Sequence, residues 1–245
     1  MDSALYETIV SSNPFKFIIG QEKKEYHLHS GLVAAQSIPL DALVNGNMQE
    51  AASKCVVWPE VSKETFGRFA MFLYTGDYNG AEKLPSLTEK SKDEMCSPTR
   101  NAKDRATTTT SQTGRFMTTC PDPLCSHDDV AWPDNRTLNI LMVHAHMYVL
   151  ADYHQIESLK AAALRKLHRL LVWYTVTKDS LEQIVCLVQF TYENTLPSKR
   201  DSLRSMVSEY CASALFRFRD VPEVDSLVRS LPDFAADMFQ KLKLY

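Results

Sequence analysis

Tyr26-His27-Leu28-His29-Ser30-Gly31-Leu32-Val33-Ala34-Ala35-Gln36-Ser37 is the stretch on which the fold of this chain turns. Its first part alternates at period two, with Tyr26 and Leu28 on one face, which is the pattern of a half-buried strand. Its second part abandons alternation for apolar pairs. Leu32, Val33, Leu40, Leu43 and Val44 are spaced for two short helices broken near Pro39. Ser30 stands where it can cap the first of these, and His29 where a strand-end histidine can hold the turn. A strand needs a partner, and one lies just upstream. Phe15-Lys16-Phe17-Ile18-Ile19 is β-rich and ends at Gly20, and the polar run Gln21-Glu22-Lys23-Lys24 joins the two as a hairpin.

Downstream, Cys55-Val56-Val57-Trp58 predicts a short buried strand stopped by Pro59. Ser62 then caps a helix whose inner face is Phe66, Phe69, Ala70 and Leu73, a spacing of i, i+3, i+4, i+7. The chain changes character at residue 79. From there to residue 137 it holds Lys, Glu, Asp, Ser and Pro without period, including Thr107-Thr108-Thr109-Thr110-Ser111. So few apolar groups cannot offset the entropy of ordering, and the expectation is a disordered insertion. From Leu138 the pattern is helical. Ile140, Val143, His144, Met147, Tyr148 and Ala151 line one face, and Leu159, Ala163, Leu167 and Leu170 the next. Leu181, Ile184, Val185 and Val188 mark a third helix after Trp173-Tyr174. Ser198-Lys199-Arg200-Asp201 resembles a capping box that opens a helix with Leu203, Met206, Val207, Tyr210 and Cys211 on its core face. Residues 221–244 add one or two short helices punctuated by Pro222 and Pro232.

The chain has 245 residues, enough to bury roughly 70–75% of its unfolded surface without a disulfide staple. A hydrophobic share of 44% and a charged share of 23% exclude whole-chain disorder and collagen. The net charge of −3 argues against a dedicated nucleic-acid binder. Acids near the start exclude a signal peptide there, and the uncharged stretch from Thr137 to Ala151 is too short to span a bilayer. The six cysteines lack the regular spacing of a secreted scaffold, so reduced thiols in a cytoplasmic or nuclear protein are expected. Asn135-Arg136-Thr137 matches a glycosylation sequon by chance.

The order hairpin, two short helices, strand, helix, long gap and paired helices resembles the BTB/POZ family. Tyr26 through Ser37 is similar to the family's hallmark, a strand ending in His followed by Val/Leu pairs and a Ser. Phe66 through Tyr74-Thr75-Gly76-Asp77-Tyr78 resembles its "YTG.Y" segment. Tyr148-Val149-Leu150-Ala151-Asp152-Tyr153, followed by Ile156 and Leu159, resembles its paired helices. The long insertion and the helical C-terminal part are similar to fungal members. The resemblance implies an α+β fold, a small sheet capped by a helical cluster, with an all-helical extension. It implies a BTB domain in two parts (1–78 and 138–172), an insertion at 79–137 and an extension at 173–245. It implies protein partners, and a homodimer through Leu5, Ile9 and Val10 of an N-terminal helix. A second partner face follows Tyr74 and reaches Tyr78. Members that bind cullin scaffolds carry an apolar-x-Glu motif, which Leu87-Thr88-Glu89 fits. Transcription-factor members carry an Asp before the first strand and a basic residue after the hallmark His, a buried pair lining a dimer groove. Asn13-Pro14 and Ser30 occupy those positions here, and losing both charges together is coherent. The resemblance therefore stops short of that groove.

No phosphate loop, dinucleotide fingerprint, zincin helix or nucleophile elbow occurs. Gly76 to Gly80 reads as a helix stop. Cys120, Cys125, His127, His144 and His146 are residue types that suit zinc. Their spacing does not, since four residues separate the cysteines in a proline-stiffened loop and the two helix histidines face different ways. The expectation is a polar loop with one core-facing and one surface histidine, and no metal or cofactor. A zinc-binding or thiol enzyme is the alternative from another class. Arg165, Lys166, His168 and Arg169 read as a solvated basic face. Trp173, Tyr174, Phe190, Tyr192, Phe216 and Phe218 read mostly as core of the C-terminal helices. The function expected is non-enzymatic: an adaptor or self-association module, with a cullin-ligase substrate adaptor as the alternative.

Overall fold

A computed structural model of the protein describes residues 3–80, 140–173, 178–197, 201–215 and 222–242. By proximity of the backbone the chain forms two compact units. One comprises Met1–Asn79 with His146–Ala163, the other Gly80–Ala145 with Leu164–Tyr245. Most of the stretch expected to lack order lies outside the described residues.

In the first unit, helix α1 (Ser3–Val10) leads into strands β1 (Pro14–Ile19) and β2 (Lys24–His29). They pair antiparallel, from Pro14 opposite His29 to Ile19 opposite Lys24, as the hairpin reading requires. The turn depends on two left-handed residues, Gly20 at φ 69° and Lys23 at φ 52°. Glycine takes that conformation without strain. Strand β3 (Cys55–Trp58) pairs parallel with β1, giving the order β2-β1-β3. Period-two alternation puts Phe15, Phe17 and Ile19 on the inner face, each at most 1% exposed. Phe17 meets Trp58 and Phe66 at ring separations of 5.1 Å, and Tyr26 meets Phe66 at 4.8 Å. This aromatic cluster, worth about 0.5–1.5 kcal/mol per ring pair beyond area burial, joins the sheet to helix α5 (Lys63–Thr75).

Helices α2 (Ser30–Ala34) and α3 (Ile38–Asn45) follow the hairpin. Pro39 sits in the first turn of α3, where its missing N–H costs nothing, and Ser37 caps that helix by accepting from Leu40 N–H at 3.3 Å. The expected capping role of Ser30 is not observed: His29 holds the N-cap position, without a side-chain cap bond, and Ser30 is already the first residue of the helix. Instead Ser30 N–H donates to Asn13 O at 2.9 Å, and Gly31 N–H donates to Ser12 Oγ at 3.0 Å. The cap therefore comes from the far side of the hairpin. The short helix α4 (Gln49–Ser53) has no apolar stripe to announce it; Lys54 ends it at φ 52°. In β3 only Val56 is buried and Val57 is 54% exposed, because successive side chains of a strand point to opposite faces of the sheet. Ser62 caps α5 as expected, accepting from Thr65 N–H at 3.1 Å, and Gly76 ends it at φ 77°.

Helices α6 (Ile140–Tyr153) and α7 (Glu157–Trp173) run through parts of both units. Helices α8 (Lys178–Asn194), α9 (Ser202–Ser213), α10 (Pro222–Ser230) and α11 (Pro232–Leu242) belong to the second. The expected inner faces are largely in place, with Leu159, Ala163, Leu167, Val188 and Leu203 fully buried. Two readings are corrected. Asp201, not Ser198, caps α9, its Oδ1 accepting from Arg204 N–H at 2.8 Å. Residues 198–200 lie outside the described residues. The basic run on α7 is not one solvated face, since His168 is 2% exposed and aligned with buried Leu171. Asp201→Ala should lower stability by about 1 kcal/mol, read from the urea midpoint at unchanged slope.

Arg204 is the hub of the second unit. Its side chain is 5% exposed. Nε donates to Thr195 Oγ1 at 2.7 Å, and Nη2 to the carbonyls of Tyr192 and Thr195 at the end of α8. The guanidinium lies 4.5 Å from the Tyr192 ring centre, with Asp233 Oδ2 at 3.5 Å. Tyr192 in turn donates to Asp237 Oδ2 at 2.8 Å and stands edge-on to Phe234 at 5.5 Å. Burial, then Asp237, pushes its phenol up, so it stays protonated. Lys241 donates to Ser205 Oγ at 2.8 Å. Helix α11 is thus tied at positions 233, 237 and 241 and buries Phe234 and Met238 between them. Tyr192 is core, as its aromatic character suggested, and Phe190 is half-buried. Tyr174, Phe216, Phe218 and the side chain of Trp173 lie outside the described residues.

Candidate functional site

Both elements expected to meet partners are anchored at the start of α2. From one side, Ser12 donates to Ile9 O at 2.7 Å and accepts from Gly31 N–H, so the end of α1 is held against α2. A Cβ on Gly31 would come within 3.2 Å of Ser12, which is why glycine fits there. From the other side, Tyr74 on α5 reaches His29. Its Oη lies 2.8 Å from His29 Nδ1 and accepts from His29 N–H at 3.5 Å. The expected turn-holding histidine is therefore real, and its partner is a tyrosine 45 residues away.

The proposed interface residues divide by exposure. Val10 is 51% exposed and Tyr74 49%, whereas Ile9 and Tyr78 are buried in their own unit. The Leu5 side chain lies outside the described residues. Ile9 is therefore core, and Val10 carries the outward apolar surface of α1. On α5 the large apolar residues that face outward are Met71 and Tyr74, one turn apart, while Phe66, Phe69, Phe72 and Leu73 point inward.

Among the described residues no three His, Cys, Asp or Glu side chains are grouped to hold a metal ion. His144 is buried and His146 exposed, as two helix positions two apart must be. Cys120, Cys125, His127 and Leu87-Thr88-Glu89 lie outside the described residues. Cys211 is fully buried, which pushes its thiol up to about 12 and leaves it inert at neutral pH. His154, at the turn between α6 and α7, stacks on Trp58 with rings 4.4 Å apart and 25° between planes. Burial lowers its pKa to about 4. Nothing in the local sequence signals this stack or the Ser12–Gly31 bond, because their members are far apart along the chain. No described helix is long and apolar enough to cross a membrane.

A small three-stranded sheet backed by helices is a mixed α+β arrangement, compatible with the BTB/POZ fold that the sequence resembles. No family model matches the chain. Over 140 residues it is 29% identical to TD and POZ domain-containing protein 4 of Mus musculus, a match covering 57% of this chain. The match spans about a third of the relative's length, 31%. The similarity is distant and partial, and it relates the chain to a POZ-domain-containing protein.

Proposed function

We propose that the chain is a non-enzymatic protein–protein interaction module of the BTB/POZ type, acting as an adaptor or by self-association inside the cell. The observation that carries this reading is Tyr74. It is a half-exposed aromatic, pinned by His29 and flanked by Met71, on a helix whose other aromatics are all inside. A tyrosine held rigid before binding loses little entropy when a partner covers it, which suits it to anchor an interface. The similarity to a POZ-domain protein supports the class of function. The two-part BTB domain (1–78 and 138–172), the insertion at 79–137 and the helical extension at 173–245 belong to the same proposal.

Partners are isolated by crosslinking and then measured with purified components. Tyr74→Ala should weaken binding by tenfold or more, about 1.4 kcal/mol, while Tyr74→Phe loses only the His29 bond. A partner indifferent to Tyr74→Ala would refute the α5 face. Binding to a cullin scaffold with the same sensitivity would specify the adaptor as part of a ubiquitin ligase. The homodimer reading rests on α1. Its test is Val10→Asp, not a change at Ile9, whose burial makes an aspartate there a test of folding. A dimer split by Val10→Asp with an unchanged melt supports the α1 interface. Stoichiometric zinc lost in a Cys120→Ser/Cys125→Ser variant would favour the metal or thiol reading instead.

A further inference from the structure

The two edges of the sheet are built differently. On the β2 edge the outward positions carry Glu25 and His27, with Lys24 beside them, and His29 N–H is covered by Tyr74. Charge of this kind blunts an edge against pairing. The β3 edge has no charge from Cys55 to Trp58. Lys16 N–H donates to Lys54 O at 2.9 Å and Gly20 N–H to Trp58 O at 3.0 Å. With the parallel register, this turns the backbone of Lys54, Val56 and Trp58 toward β1 and that of Cys55 and Val57 away. Among the described residues only Ser53 Oγ reaches these outward groups, at 3.3 Å from Cys55 O. The Val57 side chain is 54% exposed.

We propose that β3 pairs antiparallel with β3 of a second copy about a two-fold axis at Val56, merging two three-stranded sheets into one. The second copy fits because the edge is complementary to itself. Cys55 and Val57 stand symmetrically about Val56, so Cys55 of each copy faces Val57 of the other and four N–H···O bonds form. Lys54 and Glu60, both exposed, lie at opposite ends of the strand. Antiparallel pairing brings each lysine to the end where the other copy's glutamate stands. An unrelated neutral strand would satisfy the backbone but not these end charges. The contact uses neither Val10 nor Tyr74, so it goes beyond the function proposed above. Four-residue strands bury much less than the ~1,200 Å² of a stable interface, so association should appear at high protein concentration.

The test is a concentration series of the full chain by sedimentation, with Val57→Lys and Val57→Cys beside the wild type. Val57 is exposed, and an unchanged melt verifies that each variant is folded. Facing residues of a hydrogen-bonded pair lie about 5.5 Å apart at Cα, within disulfide reach. V57C should therefore oxidise to a covalent dimer whose linked peptides join positions 55 and 57. V57K should stay monomeric where the wild type associates. The Cys55 and Val57 amides of the wild type should exchange freely when dilute and become protected as it associates. A wild type that remains monomeric at millimolar concentration overturns the proposal. So does association that V57K leaves intact, or oxidised V57C without the 55–57 link. Association lost in Val10→Asp but kept in V57K would place self-association on α1 instead.

Discussion

Arg204→Ala should cost about 3–4 kcal/mol of stability, the largest single loss expected outside the aromatic core. The substitution strands the buried carbonyl of Tyr192 and removes the partner of the part-buried Thr195 carbonyl, while the Thr195 hydroxyl keeps its bond to Thr191 O. Each buried polar group left without a partner costs about 1–3 kcal/mol. Losing the guanidinium from the Tyr192 face adds roughly 1–2 kcal/mol at a desolvated site. The Asp233 pairing contributes little, since that carboxylate is 65% exposed and solvated. Arg204→Met is the informative companion. It keeps much of the apolar stem and should recover only the packing part. Arg204→Lys keeps the charge but not the planar fork, and should fall between. Urea unfolding at neutral pH measures all three. An alanine variant within about 1 kcal/mol of wild type would mean that the α8 carbonyls find other partners.

Acidification should destabilise the first unit through His154. Burial holds its pKa at about 4 against an ordinary 6.5, so the native state keeps the ring neutral. Between those values the unfolded chain binds a proton that the native chain does not. The contribution is therefore full above the unfolded pKa and is lost as pH falls through the interval. Stability should drop by about 3 kcal/mol between pH 7 and pH 4 from this residue alone, because each pH unit between the two values is worth about 1.36 kcal/mol. His154→Phe can retain a ring against Trp58 without titrating, and should flatten that part of the profile. The Trp58 environment makes its fluorescence a local probe. The same pH dependence in the His154→Phe variant would assign the loss to other groups.

The hairpin, the strand at Cys55–Trp58, helix α5 and the apolar faces of α6 to α9 were legible because each depends on a period a few residues long. Alternation at Phe15, Phe17 and Ile19 means one face whatever the rest of the chain does. The spacing of Phe66, Phe69 and Leu73 means one helical stripe. Ser62 and Gly76 are punctuation whose chemistry acts within four residues. Capping was misread where two local candidates competed or where the cap came from elsewhere. Ser30 could have served α2, but Ser12 does so from the far side of the hairpin. Ser198 and Asp201 both suit an N-cap, and Asp201 is the one at the start of α9, its oxygen accepting from Arg204 N–H. The candidate site was half legible. Tyr74 and Val10 are half exposed and Ile9 and Tyr78 are buried, a division the sequence does not show, since an apolar residue near a helix end fits a core and an interface equally well.

What the sequence determined by itself is therefore the set of elements, their order and most of their inner faces, because local sterics and the periods of helix and strand decide these without reference to distant residues. Tertiary structure alone decided which side chains meet across long separations. Tyr74 closes on His29, Ser12 caps Gly31, Trp58 stacks on His154, and Arg204 gathers the end of α8 with Asp233 of α11. It also decided that β3 lies at an edge with the backbone of Cys55 and Val57 turned outward. Such contacts depend on directional bonds and on close packing among residues tens of positions apart. The energy of each is set by burial, and burial exists only once the chain has closed on itself.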